Sequence, residues 1–137
     1  MNFGGDFPTK KASTYVKLQQ AYISEAVAVG NWSIIGYKGP GTPDASTPKL
    51  KSATTNFTYS DGGSYTNNTA KLEGKAVKGW SAQNNTKLND CGSAADNWKV
   101  EVKAATATGS SQGDAAFTST VASACTDLTP QFGSIGK

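Results

Sequence analysis

Histidine and arginine are both absent from this chain of 137 residues, which also has a single methionine, only two cysteines and little charge. Without histidine, the commonest general base and the commonest metal ligand are missing together, so most hydrolase and zinc-site chemistries lose their usual participants. Without arginine there is no guanidinium fork to read phosphate or guanine in bidentate fashion. The thirteen basic residues are all lysines, scattered apart from Lys10-Lys11 and Lys49 with Lys51. The net charge of +3 therefore reads as a solvated face, and nucleic acid is not an expected partner. No apolar run reaches the length of a membrane span, and no stretch has the form of a secretory signal peptide. The opening MNFGGDF, residues 1–7, reads as an added expression start ahead of the native segment.

Motif chemistry is equally sparse. The carboxylates are dispersed, with neither D-x-D nor a D-x-N-x-D-G calcium loop, so no metal or cofactor is expected. Asp90, Asp96 and Asp127 are the one group that could gather around a calcium ion, against the plainer reading of solvated loop acids. Serine and threonine abound, yet without G-x-S-x-G or a histidine no catalytic nucleophile stands out. Enzymatic activity is not expected.

What remains is a polar, weakly charged composition: 36% apolar and 17% charged, the rest dominated by Thr, Ser, Asn, Gly and Ala. Three Trp, five Tyr and five Phe are spread through it, which separates it from disordered sequences. One domain is expected, able to bury roughly two-thirds of the unfolded chain's surface. Cys91 and Cys125 read as a disulfide, the competing reading being two buried thiols in a reducing compartment. Closing a loop of about 35 residues would stabilise the fold by roughly 3.8 kcal/mol on chain-entropy grounds.

The clearest periodicity lies in PTKKASTYVKLQQAYISEAVAVG, residues 8–30. Tyr15, Leu18, Tyr22, Ala26 and Val29 recur at steps of three and four, with Val16, Ile23 and Val27 beside them, predicting one amphipathic helix whose core face they form. Lys17, Gln19, Gln20, Ser24 and Glu25 fall on the opposite side; Asp6 and Thr9 are candidate N-caps, and Gly30 the candidate stop. Residues 31–53 then read as an irregular loop, its apolar cluster Trp32, Ile34, Ile35 and Tyr37 followed by proline and glycine at 39, 40, 41 and 43.

Residues 54–137 read as sheet with a disulfide-bonded C-terminal region. Phe57 and Tyr59 mark a strand over 54–59, a second is placed near 76–83, and Trp98 to Ala104 alternates apolar with charged residues. Phe117 to Cys125 alternates again, predicting a hairpin across a turn at 109–113, and Leu128 and Phe132 should pack back from the tail. The expected fold is α+β: one N-terminal helix across a three- to four-stranded antiparallel sheet.

This layout resembles a known family. ASTYVKLQQAYISEA followed by GNWSIIGYKGPG, over about residues 11–41, is similar to the soluble domain of type IV pilins, and the remainder is similar in order and composition. The resemblance implies a structural filament subunit, without catalysis or cofactor, that polymerises with other pilin subunits and serves surface display and adhesion. It implies a full-length form with a leader, a processed and methylated N-terminus and about 25 apolar residues continuing into this helix. That segment would anchor the subunit in the inner membrane before assembly into an extracellular filament, so a domain lacking it should be monomeric. It also implies the Cys91–Cys125 pairing and places the loop carrying Trp32 and Tyr37 as a surface-contact element. Two rivals stand beside it: a pseudopilin of a type II secretion system, and a secreted carbohydrate-binding module using a tryptophan platform. Of Trp32, Trp80 and Trp98, the last lies on the apolar face of a strand and Trp80 beside an apolar stretch, so both read as core, and Trp32 is the least determined of the three. Four N-x-S/T triplets, at Asn31, Asn56, Asn67 and Asn84, are expected by chance in so Asn- and Thr-rich a chain.

Overall fold

The computed structural model describes residues 8–46, 50–105 and 115–136. Helix α1 (Pro8–Ala26) is followed by a short strand β1 (Ala28–Gly30), a one-turn helix α2 (Trp32–Ile35) and strands β2 (Thr42–Pro43) and β3 (Lys51–Ala53). Then come β4 (Phe57–Ser60), β5 (Thr69–Lys71), β6 (Val77–Asn84), β7 (Trp98–Ala104) and β8 (Ala115–Val121). Two 3-10 turns, Ser123–Leu128 and Phe132–Ser134, close the chain. Six strands form one antiparallel sheet in the order β2-β3-β4-β6-β7-β8, while β1 and β5 pair separately. The fold is α+β with one long helix, as expected, but the sheet is wider than the predicted three or four strands.

The alternating segments behave as their patterns require. Phe57 and Tyr59 are buried and Thr58 exposed; Trp98, Val100 and Val102 are buried between half-exposed Lys99, Glu101 and Lys103. Directly opposed residues share a face, so Tyr59, Ala82, Trp98 and Val121 form one row and Trp80, Val100 and Ser119 another. The register slips between Lys78 and Trp80, leaving Gly79 as a bulge. β8 stops at Val121 rather than continuing to Cys125, because the chain turns there into the 3-10 segment that brings Cys125 to Cys91. That disulfide is formed, and Phe132, wholly buried, packs its ring 5.9 Å from Trp80. The predicted turn at 109–113 and residues 1–7 lie outside the described residues.

The helix departs from expectation at its end and in its orientation. Its last backbone bond runs from Val27 N–H to the Ile23 carbonyl, and Val27 itself adopts a left-handed conformation with φ of 53°. The chain then reverses into β1, so Val29 is buried from a strand and not from the helix. The buried face is Pro8, Ala12, Tyr15, Val16, Gln19 and Ile23. Of the predicted face, Tyr15 is buried, Leu18 and Tyr22 are half-buried and Ala26 is exposed. Thr9 lies inside the helix and so is not a cap; Asp6 lies outside the described residues.

Candidate functional site

The region where α1, α2 and the bulge of β6 meet carries most of the unusual polar chemistry. Gln19, assigned by its residue type to the wet side of the helix, is 0% exposed. Its carboxamide accepts from Gly30 N–H at 2.9 Å and donates to the Gly30 carbonyl at 2.8 Å, with a further bond from Nε2 to the Tyr15 hydroxyl at 2.9 Å. Both backbone groups of a buried glycine are thereby satisfied by one side chain. The absence of a side chain matters here: a Cβ on Gly30 would lie 2.7 Å from side-chain carbons of Ile34 and Ile35 and 2.9 Å from Tyr22.

Helix and sheet are bridged by a chain of donors. Trp80 Nε1 donates to the Tyr37 hydroxyl at 3.0 Å, which donates in turn to the Lys11 carbonyl on α1 at 3.0 Å. Trp32 Nε1 donates to the carbonyl of Gly79 at 2.8 Å. A Cβ on Gly79 would collide with the Tyr15 hydroxyl, so the bulge glycine leaves room for the Tyr15 side chain of the helix against β6. Burial pushes the Tyr15 and Tyr37 hydroxyls above the ordinary tyrosine range, and both remain neutral.

Asp61, just after β4, ties this region to the next loop. One carboxylate oxygen accepts from Trp32 N–H at 2.9 Å; the other accepts from the Tyr65 hydroxyl at 2.7 Å and from Gly63 N–H at 3.1 Å. Burial raises its pKa, and the three donors oppose that shift. Tyr65 is raised as well, first by burial and then by the Asp61 charge. Beside α2, Asn31 caps the turn through its Oδ1, which accepts from Ile34 N–H at 3.0 Å, and Gly36 ends it in the left-handed region at φ of 77°.

The three tryptophans, considered for sugar stacking, are buried with their indole N–H groups engaged; Trp98 donates to Thr129 Oγ1 at 2.7 Å. Trp32 and Tyr37, expected on a contact loop, are only 1% and 4% exposed, so neither ring is displayed. The apolar surface here is instead Ile34, 42% exposed, which the sequence placed in the same cluster without distinguishing it. A groove of about 470 Å³ runs alongside, lined by Trp32, Gly36, Tyr37, Lys38, Gly39 and Pro43. Another, of about 330 Å³, has Lys71, Lys75, Lys78 and Glu73 on its walls.

The disulfide sits over a second polar knot. Asn84 Nδ2 donates to the Cys91 and Thr86 carbonyls at 2.9 and 3.0 Å, while its Oδ1 accepts from Asn97 Nδ2 at 2.8 Å. Asp90, Asp96 and Asp127 do not come together: among the described residues no three of Cys, Asp or Glu approach as a metal site requires, and Asp96 pairs with Lys78 at 2.7 Å. Among the same residues no helix is long and apolar enough to cross a membrane. No protein-family model matches the chain, and neither a curated protein nor a solved structure does.

Proposed function

We propose that this domain is a structural subunit of a type IV pilus or related extracellular filament, acting by polymerisation with copies of itself and by surface display and adhesion. The observation that carries the reading is the order of parts: an N-terminal helix locked by Gln19 and Tyr37, an antiparallel sheet, and a C-terminal segment pinned by Cys91–Cys125. A helix tied at both Lys11 and Gln19 suits a subunit whose helix must transmit load without leaving its sheet. Inner-membrane anchoring before assembly belongs to the same proposal. The carbohydrate-module alternative depends on Trp32 for sugar stacking, and that ring is 1% exposed. The pseudopilin alternative loses its candidate calcium group, since the three aspartates stay apart.

Immunogold electron microscopy of intact source cells, with antibodies raised against this domain, tests the proposal. Gold should line thin filaments extending from the cells. Label confined to cell bodies, or antigen found only as soluble protein in the medium, overturns it.

A further inference from the structure

The four N-x-S/T triplets are alike in sequence and unlike in the fold. Asn31 is 6% exposed, with its Oδ1 accepting from Ile34 N–H and its Nδ2 donating to Asn68 Oδ1, both at 3.0 Å. Asn84 is 0% exposed, and its Nδ2 is engaged by the Cys91 and Thr86 carbonyls. Asn56 is half-buried, and the hydroxyl of its triplet, that of Thr58, already donates to Asn85 Oδ1 at 2.6 Å. Asn67 differs from all three: its side chain is exposed, and among the described residues no hydrogen bond engages its carboxamide. It stands at the tip of a tight turn. Thr66 and Thr69 exchange backbone hydrogen bonds of 2.8 and 3.2 Å, and Asn67 and Asn68 between them have φ of 53° and 69°. The turn is held at its base by Asn31 N–H, which donates to the Asn68 carbonyl at 2.9 Å. Asn67 therefore projects from an anchored loop.

We propose that Asn67 is an N-glycosylation site, carrying an oligosaccharide on its Nδ2. Asn67-Asn68-Thr69 supplies the acceptor amide and, two residues on, the hydroxyl that such transfer recognises. Thr69 Oγ1 makes only a 3.2 Å bond to the Thr66 carbonyl, inside the turn itself. The donor is a lipid-pyrophosphate-linked oligosaccharide: Nδ2 bonds to the anomeric carbon and loses a proton, while the bond from that carbon to the pyrophosphate oxygen breaks and the lipid pyrophosphate leaves with its electrons. A second observation points the same way. The Cys91–Cys125 disulfide belongs to an oxidising compartment outside the cytosol, where exported chains meet such donors. The fold then selects the position whether transfer comes before or after folding. A sugar on Asn31 or Asn84 would have to enter the core and displace hydrogen bonds that nothing else replaces, whereas one on Asn67 extends into solvent. The inference needs export of the chain but not its polymerisation, so it stands apart from the filament reading.

Peptide mass spectrometry of the protein isolated from its source cells reads the site. Cleavage after lysine releases residues 52–71, which contain both Asn56 and Asn67, so electron-transfer fragmentation locates the added mass. Asn67 should carry at least one sugar residue, and Asn31, Asn56 and Asn84 none. Thr69→Ser, made in the same cells, should keep the sugar and Thr69→Ala should lose it, because the alanine removes the hydroxyl that the transfer recognises. Should Thr69→Ala fail to fold, the native chain and Thr69→Ser decide the matter. Unmodified Asn67 in the native protein, sugar on Asn31 or Asn84, or a Thr69→Ala chain that keeps its sugar overturns the inference. None of these outcomes touches the filament reading, which the gold labelling tests separately.

Discussion

Gln19 holds Gly30 as one peptide unit holds another across a ladder: its carboxamide oxygen and nitrogen lie 2.9 and 2.8 Å from the glycine's N–H and carbonyl. The helix thus supplies, through a side chain, the hydrogen-bonding partner that Gly30 would otherwise need from another strand. Gln19→Ala leaves two buried backbone groups unpaired and should cost about 2–4 kcal/mol in chemical denaturation. Gln19→Glu, which accepts but cannot donate, should not restore the loss.

Gly79 and Tyr15 form a steric pair. Gly79→Ala should destabilise by about 1–3 kcal/mol, because the new methyl meets the Tyr15 hydroxyl. Tyr15→Phe removes that oxygen, so the double variant should be more stable than the sum of the single losses predicts. A double-mutant cycle by urea unfolding measures the coupling, and strict additivity would show that the methyl is accommodated elsewhere.

Val27 is β-branched, 44% exposed and held at φ of 53°. Left-handed backbone costs such a residue about 1–2 kcal/mol, while its side chain loses little by leaving. Val27→Gly should therefore be neutral or raise the melting temperature, even though glycine adds freedom to the unfolded chain.

Asp61 titrates above its ordinary value in the folded protein, with burial as the main cause. The folded state then binds the proton more tightly than the unfolded state, so the Asp61 contribution to stability is greatest below the unfolded carboxylate pKa of about 3.9 and is lost as pH rises through the folded value. Compared with Asp61→Asn, the native protein should gain stability as pH falls across that window. Carbon-detected NMR titration of the side chain locates the folded value directly; a midpoint at or below the ordinary one would mean that Trp32 N–H, Gly63 N–H and the Tyr65 hydroxyl outweigh burial.

Ile23 and Leu18 distinguish the observed helix face from the periodic one. Ile23 is 1% exposed and Leu18 half-buried, so Ile23→Ala should cost about 2–4 kcal/mol and Leu18→Ala clearly less. Equal losses in denaturation would restore the face centred on Leu18.

Legibility followed contrast in the sequence. Trp98 to Ala104 alternates apolar with charged residues; its strand bounds are as read, and Trp98, Val100 and Val102 are buried as the pattern requires, while Ala104 at the strand's end is only half-buried. Beyond Val121 the alternation is only Ser against Ala, which carries little difference in hydration, and there the strand ends although the pattern runs on to Cys125. β1, β2, β3, β5 and α2 are two to four residues long, too short to leave a period of 2 or 3.6. The helix end was hidden for another reason: Ala26, Val27, Ala28 and Val29 are apolar in either conformation.

By itself the sequence determined the class of fold, the helix, the strong strands, the cysteine pair and the lack of histidine and arginine chemistry. These follow from residue type and from spacing within one segment. Only the tertiary structure decided that Gln19 is core and that Trp32 and Tyr37 are hidden. Each of these depends on partners distant along the chain: Gly30 for Gln19, Gly79 for Trp32 and Trp80 for Tyr37. A buried polar group goes where its hydrogen bonds can be met, and that location exists only once the chain has folded.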